Sequence, residues 1–469
     1  AGTATARGVD ALAQDPGVAH VALDVTLQAD LAEAVPLINA DDVHSSLGRT
    51  GEGVTVAVLD TGIDTDHPML SDDFVYQACF LVESTCPGGG TTGTSAEDGH
   101  GHGTHVSGIV TLAGPPVGIA PDASIEAYKV LQNTGSGSFS NVLSAYDDII
   151  VNHPEVDLIN MSVSNGGSYA PNGCDGLIPA FTTAVATTRA MGITTFASAG
   201  NSSSKTGIGF PACVGDVVAV GAVYDADVGS QAFGACSDPS TAPDQVTCFS
   251  QSHPGLDLLA PGARIQSAGI GGGLATLSGT SMSSPAAAAA AALLLESEPA
   301  LMPADLEARL RETGVPVTDA ANNVTSCRVD AYEAVVNDGG PVCSPSGPPP
   351  PANDDFADAV AAGEPLPYGN AQTTAFATTE VGEPSPCGGI ASTVWYSFTP
   401  TSDAPIEVST VGSNYDTVLA IYSGPSLDSL ALAGCNDDFS SLQSRVQFTA
   451  NADTTYSIQA GGFLGAAGD

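Results

Sequence analysis

The chain has 469 residues, 43% of them hydrophobic, enough for a sizeable core and for more than one folded domain. It carries 52 acids against 10 Lys and Arg, a net charge of −42, which excludes electrostatic binding to nucleic acid. Charged residues are only 13% of the total, so the acidity comes from missing bases, and no apolar stretch, 286–295 included, is long enough to span a membrane.

From 51 to 223 the chain alternates buried strands with helical segments. Strands are predicted at 54–59, 124–131, 156–163, 193–197 and 216–223, with helices at 105–112, 141–152 and 179–191. The alternation predicts an α/β fold, a mostly parallel sheet with helices on both faces. Farther on, Gly279-Thr280-Ser281-Met282-Ser283-Ser284-Pro285 runs into an Ala run followed by three Leu, a buried helix by composition. Pro285 falls where a first helical turn tolerates it. Residues 337–352 are rich in Pro and Gly and read as a stiff, exposed linker. Beyond them, strands predicted at 392–398, 406–410, 417–422, 445–448 and 455–460 have the spacing of an all-β sandwich.

The ten cysteines are even in number, and none forms a Cys-x-x-Cys motif. The simplest of many pairings joins sequence neighbours: Cys79–Cys86, Cys236–Cys248, Cys327–Cys343 and Cys387–Cys435, leaving Cys174–Cys213. An oxidising, extracellular compartment is expected. With no signal peptide visible, the front of the chain reads as cut off.

Three stretches carry chemistry. Ser281 sits at the mouth of the Ala-rich helix, close to free backbone N–H groups and the positive end of the dipole. The strand at 54–59 ends in Asp60 at a Gly turn. His100-Gly101-His102-Gly103-Thr104-His105 is a Gly-punctuated entry to another small-residue segment. An acid, a histidine and a serine at the edges of buried elements are the parts of a nucleophilic triad. VAVLDTGID, HGTHVSG and GTSMSSP, in that order, resemble the subtilisin-family (subtilase) serine peptidases, and the resemblance covers about 36–336.

The resemblance implies a secreted serine endopeptidase that acts on polypeptides as a monomer. Ser281 would be the nucleophile and His102 the base, because only His102 is followed by the family's Gly-Thr-His-Val. Asp60 would orient it. His105 is expected to be a buried structural histidine, His100 solvated, and Asp64 a turn carboxylate. Asn201, in a segment like the family's AAGN, would donate with the Ser281 N–H to the oxyanion. Gly135, Ser136, Gly137 and Phe139 on one side, and Ser162, Val163 and Ser164 on the other, would clamp an extended peptide. Ala197, Ser198, Ala199 and Gly209 would line an uncharged first pocket, with Phe139 lining one two or three residues further back. This implies broad cleavage after apolar residues. The alternatives are a dedicated maturation peptidase and a non-catalytic binding protein on the same scaffold.

Residues 11–24 resemble the end of a subtilase inhibitory propeptide. The expected domains are a propeptide remnant at 1–35, its tail 25–35 lying in the cleft and inhibiting its own enzyme, and a peptidase domain at 36–336. The linker 337–352 and a C-terminal sandwich at 353–469 follow. That last segment resembles pre-peptidase-type C-terminal domains and reads as one strand short. No cofactor is required for the chemistry. A structural calcium is open, but Met69 stands where many subtilases place a calcium-binding acid, and the loop 112–118 is short. The acids at 354–355 and 437–438 fit either a calcium site or turns.

Overall fold

The computed structural model describes residues 31–469 except 71–72, 172, 338–341, 348, 381, 388, 440, 464 and 469. The propeptide-like stretch 11–24 lies outside the described residues.

The chain enters through helix α1 (Leu31–Leu37), then short helical turns to Leu47. The strands β1 (Thr55–Asp60), β2 (Phe74–Phe80), β3 (Thr92–Gly93), β4 (Ser124–Lys129), β5 (Leu158–Met161), β6 (Thr194–Ser198) and β7 (Val217–Val223) follow in chain order. Between them run α2 (His102–Thr111), α3 (Phe139–Asn152) and α4 (Pro179–Ala190). A small hairpin of β8 (Gln231–Phe233) and β9 (Cys236–Asp238) precedes β10 (Leu258–Pro261). The antiparallel pair β11 (Ile265–Gly269) and β12 (Gly273–Leu277) leads into α5 (Thr280–Ser297). The unit closes with α6 (Pro303–Glu312), β13 (Val315–Asp319), β14 (Val324–Arg328) and α7 (Ala331–Val336).

The large sheet has the order β13-β14-β10-β7-β6-β5-β1-β4-β2-β3. All pairs from β14 to β2 are parallel, and only the outermost pair at each edge is antiparallel. Every residue of β7, Val-Val-Ala-Val-Gly-Ala-Val, is buried, as a strand covered on both faces requires. Helix α5 is apolar all round from Ala286 to Leu295 and lies against β5, β6, β7 and β10 on one side and α2 on the other. Leu293 and Leu294 are fully buried there, each stabilising the fold by about 1.5–3 kcal/mol through burial. The nucleophile candidate therefore sits at the start of a helix buried deep in the core.

Of the expected propeptide tail 25–35, only 31–35 are described. Residues 31–35 form the first turns of α1, and Ala34 and Val35 are buried in the same core as Ile38, Val43 and Ile265. Apolar burial draws them into the peptidase unit, so the packed unit starts before residue 36. The linker also changes. Cys343 is buried and bonded to Cys327, its N–H donates to Glu312 O at 2.8 Å, and Ser346 bridges to Thr325. Cys343 and Ser346 are thus tied to the peptidase unit, while Val342 and residues 344–346 remain exposed.

The C-terminal region has a five-stranded sheet in the order Val360–Ala362, Ile390–Phe398, Tyr456–Phe463, Thr417–Ser423, Ala431–Asn436, and a pair Ala404–Ser409 with Arg445–Ala450. Phe398, Leu419, Ile421 and Ile458 of the first meet Val446 and Ala450 of the second in one apolar cluster. The strand Ala431–Asn436 was not predicted; its first three residues are exposed and it lies at the sheet edge. The Ala170 N–H donates to Gly465 O at 2.8 Å, tying this region to the peptidase unit. All five expected disulfides are formed, and the described residues hold no free cysteine.

Candidate active site

Asp60 is the last residue of β1, fully buried, and Thr61-Gly62 turn the chain away from it. His102 opens α2. Gly103, in the first turn of α2, lets that helix touch the end of β1, and Gly62 lets the turn after β1 pack against Ala96. A methyl group on Gly62 would lie 1.9 Å from Ala96 O, and one on Gly103 would lie 2.2 Å from Gly62 O. Gly62 also has φ +106°, a left-handed conformation that glycine alone adopts freely. This close approach lets His102 Nδ1 donate to Asp60 Oδ1 at 2.8 Å, an oxygen that also accepts from the Thr61 N–H at 2.7 Å. With Nδ1 holding the proton, Nε2 keeps its lone pair. Burial pushes the imidazole pKa down, but the Asp60 carboxylate outweighs it, with help from Asp98, and holds the value above the ordinary 6.5.

Ser281 is the second residue of α5 and lines the same cleft as His102. Its Oγ donates to Ser162 O at 3.4 Å, a loose contact of the kind that leaves a hydroxyl free to turn. The serine backbone is held harder. Ser162 Oγ donates to Ser281 O at 2.8 Å and accepts from Asn160 Nδ2 at 3.1 Å, while Ser284 Oγ donates to Asn160 Oδ1 at 2.7 Å. This chain of polar groups fastens the first turn of α5 to the end of β5.

Asn201 follows β6. Its Oδ1 accepts from the Thr280 N–H at 2.9 Å and the Thr280 hydroxyl at 3.0 Å, which fixes the amide so that Nδ2 is the free donor end. A methyl group on Gly279 would lie 3.3 Å from Asn201 Nδ2 and 3.6 Å from Ser281 N. Asn201 Nδ2 and the Ser281 backbone N thus lie within 4 Å of one position beside Gly279, with Asn201 Oδ1 at 3.7 Å from it.

A cleft of about 630 Å³ runs past His102 and Ser281. It is lined by Gly135, Ser136, Gly137 and Phe139 on one edge and by Ser162, Val163 and Ser164 on the other. Ala197, Ser198, Ala199 and Gly209 do not line it; they are buried in the layer behind. They support it instead: Ser198 Oγ donates to Val163 O at 3.2 Å, and the Gly209 N–H donates to Ala199 O at 2.7 Å. Leu131, Val142, Leu177, Ile178 and Phe210 join Phe139 to make an apolar floor that was not predicted. Phe139 stands 4.8 Å from Phe210 and 5.0 Å from Phe181 between ring centres. No Asp, Glu, Lys or Arg lines the cleft among the described residues.

His105 is buried, its Nε2 near Ile265 O (3.0 Å) and Ala275 O (3.1 Å), and burial drives its pKa down to about 4. His100 is exposed but lines the cleft, its ring 6.3 Å from that of His102. Asp64 accepts from the Gly271 N–H at 2.7 Å. Two supporting residues were missed. Asp98 accepts from the N–H groups of His100, Gly101 and Thr104 and from the Thr104 hydroxyl, bracing the start of α2. Burial would raise its pKa, but these bonds win and hold it below the ordinary carboxylate value. An acid just ahead of a helix start is a readable cap signal. Lys129 ends β4 beside Asp60, buried, donating to Thr61 O and to Asn133 Oδ1 (2.8 Å). Burial lowers its pKa against the pull of Asp98, Asp60 and Glu97. Met69 packs on the core and offers no hard oxygen to a calcium ion. Of the marked acids, Asp354 fastens Thr378 through its N–H and hydroxyl. Asp437 and Asp438 gather with Asp416, which burial and their two charges raise to about 6.

Residues 51–332 match a family model described as the Subtilase family. Subtilisin E of Bacillus subtilis (strain 168) is 36% identical over 323 residues, covering 67% of this chain and 74% of that protein. An alkaline protease of Shouchella clausii is 33% identical over 312 residues, 65% of this chain and 71% of that protein. A solved structure, titled as a cold adapted subtilisin-like serine proteinase, is 28% identical with a TM-score of 0.49, covering 66% of this chain and 94% of that one. Through the match over 51–332 and its kinship with the subtilisins, the chain belongs to the subtilase family and is a serine endopeptidase.

Proposed function

We propose that Ser281, His102 and Asp60 are the catalytic triad of a secreted endopeptidase with broad, apolar specificity. The 2.8 Å bond from His102 Nδ1 to Asp60 Oδ1, beside Ser281 in one uncharged cleft, carries the reading. His102 Nε2 takes the Ser281 proton as Oγ attacks the peptide carbonyl carbon, then returns it to the leaving amine. Asp60 keeps the proton on Nδ1 and stabilises the imidazolium. Asn201 Nδ2 and the Ser281 N–H receive the oxyanion beside Gly279. Water then repeats the sequence on the acyl-enzyme and releases the acid.

The edges 135–137 and 162–164 pair with the backbone of an extended substrate, which gives affinity without sequence choice. The floor of Phe139, Val142, Leu177, Ile178 and Phe210 selects apolar side chains two or three residues upstream of the one at the cut. Absence of charge in the cleft disfavours a maturation peptidase that reads basic sites. Five disulfides support an extracellular setting. Digestion of a peptide library tests the reading, with Ser281→Ala as control. Cleavage at many sites, enriched in apolar residues at and upstream of the cut and lost in the variant, is expected. Cleavage confined to one charged motif would mark a maturation peptidase, and no cleavage at all a binding protein.

A further inference from the structure

We propose that Glu126, His153 and Glu155 form a binding site for one zinc-like divalent cation, remote from the catalytic groups. Glu126 is on β4, His153 caps the C-terminal end of α3, and Glu155 follows in the next turn. Their ligand atoms all lie within 4.8 Å of one another. His153 Nδ1 is 3.0 Å from Glu126 Oε1 and 3.3 Å from Glu155 Oε1. A tetrahedral zinc ion, with bonds of about 2.0–2.2 Å, sets its ligand atoms about 3.3 Å apart. The two separations, which an ordinary hydrogen bond and ion pair also show, let one small ion sit among the three ligands.

The hydrogen bonding leaves a reason for the ion. One ring nitrogen faces two carboxylates with a single proton to give, and the bond goes to Glu126. Glu155 Oε1 then stands against the same nitrogen with no hydrogen of its own. A dication in place of the proton satisfies all three atoms and balances both carboxylates. The donor set, one imidazole and two carboxylates, suits zinc rather than calcium, which takes six to eight oxygens.

The surrounding groups orient the ligands, as metal sites require. Glu126 is 2% exposed, and its second oxygen accepts from the Tyr128 hydroxyl at 2.9 Å. The Tyr76 ring lies over the imidazole, 3.9 Å between centres, and its hydroxyl donates to Asp148 Oδ2 at 3.0 Å. The Glu155 side chain is 61% exposed, so the site has an entry and room for a water as fourth ligand. Glu126 is three residues, about 10 Å of strand, from Lys129 at the catalytic end of β4. The ion therefore takes no part in peptide hydrolysis. It fastens the end of α3 to the sheet, and the first residue of that helix is Phe139 of the cleft.

The test uses the full chain as Ser281→Ala, to prevent self-digestion, stripped with EDTA and titrated with zinc by calorimetry. Loss of one bound ion per chain is expected in both Glu155→Ala and His153→Ala. Zinc should raise the Tm of the parent by a few degrees and leave that of both variants unchanged. Glu155 is exposed, so its variant folds. Cobalt should give visible absorption bands of a four-coordinate ion in the parent alone. An unchanged number of bound ions and an unchanged Tm gain in the two variants would overturn the site, as would no binding at all. Displacement of the zinc by equimolar calcium would overturn its identity.

Discussion

The position beside Gly279 offers a direct test of the proposed oxyanion donors. Gly279→Ala places a methyl group 3.3 Å from Asn201 Nδ2, 3.6 Å from Ser281 N and 3.7 Å from Asn201 Oδ1. These are tight to ordinary contacts, so the neighbours give by a few tenths of an ångström at most. The Gly279 backbone, φ 161° and ψ 162°, is extended and accepts alanine. The fold should survive, and the Tm of the variant on an inactive background should stay within a few degrees of its parent. On the proposed mechanism, the methyl takes up space beside both donors that a developing oxyanion would need. Losing one such donor costs about 2.7–4 kcal/mol, a hundred- to a thousand-fold in kcat. Blocking access to both should cost kcat at least that much. Asn201→Ala should cost a similar factor, with little change in KM. Because both changes act on one interaction, the double variant should fall well short of the product of the two. Initial rates on a chromogenic peptide with an apolar residue at the cut measure all four proteins. An undiminished kcat in Gly279→Ala, or strict multiplicativity in the double variant, refutes the reasoning.

Two further outcomes are expected. The acid limb of kcat/KM should have its midpoint above about 6.5, because the Asp60 charge raises the pKa of His102 and activity needs the neutral ring; Asp60→Asn should move that midpoint down and lower kcat by about ten thousand-fold, and a limb that stays put in the variant would show that Asp60 does not set it. If the chain removes its own front segment, N-terminal sequencing of the active protein should find the cut ahead of Ala34, since Ala34 and Val35 are buried, while Ser281→Ala keeps its front residues; a mature end after Val35 would contradict the packing.

The candidate triad could be picked out because each member sits in a short local stretch: an acid ending an apolar strand, a histidine opening a small-residue helix, a serine opening an Ala-rich one. The core strands from β1 to β7 were readable where a continuous apolar run marks burial on both faces. β2 was not, since Phe74–Phe80 alternates exposed and half-buried residues near the sheet edge. The burial of Ala34 and Val35 in the core was not readable, because it depends on partners distant in sequence. The anchoring chain from Ser284 through Asn160 to Ser162 spans over a hundred residues of sequence, and nothing local announces it. The same holds for the apolar floor. Leu177 and Ile178 follow Cys174, and Phe210 precedes Cys213, so the Cys174–Cys213 bond brings the two segments together. Asp98 was within reach, four residues ahead of His102, and was passed over for the histidines beside it.

Covalent capture of the nucleophile tests the central claim most directly. The purified chain is treated with a fluorophosphonate, residual casein hydrolysis is followed against the extent of labelling, and the modified peptide is located by mass spectrometry. The account predicts one label per chain, on the Ser281 peptide, with activity falling in proportion to zero. Complete labelling at Ser281 with hydrolysis intact, or inactivation with the label on another residue, would contradict it.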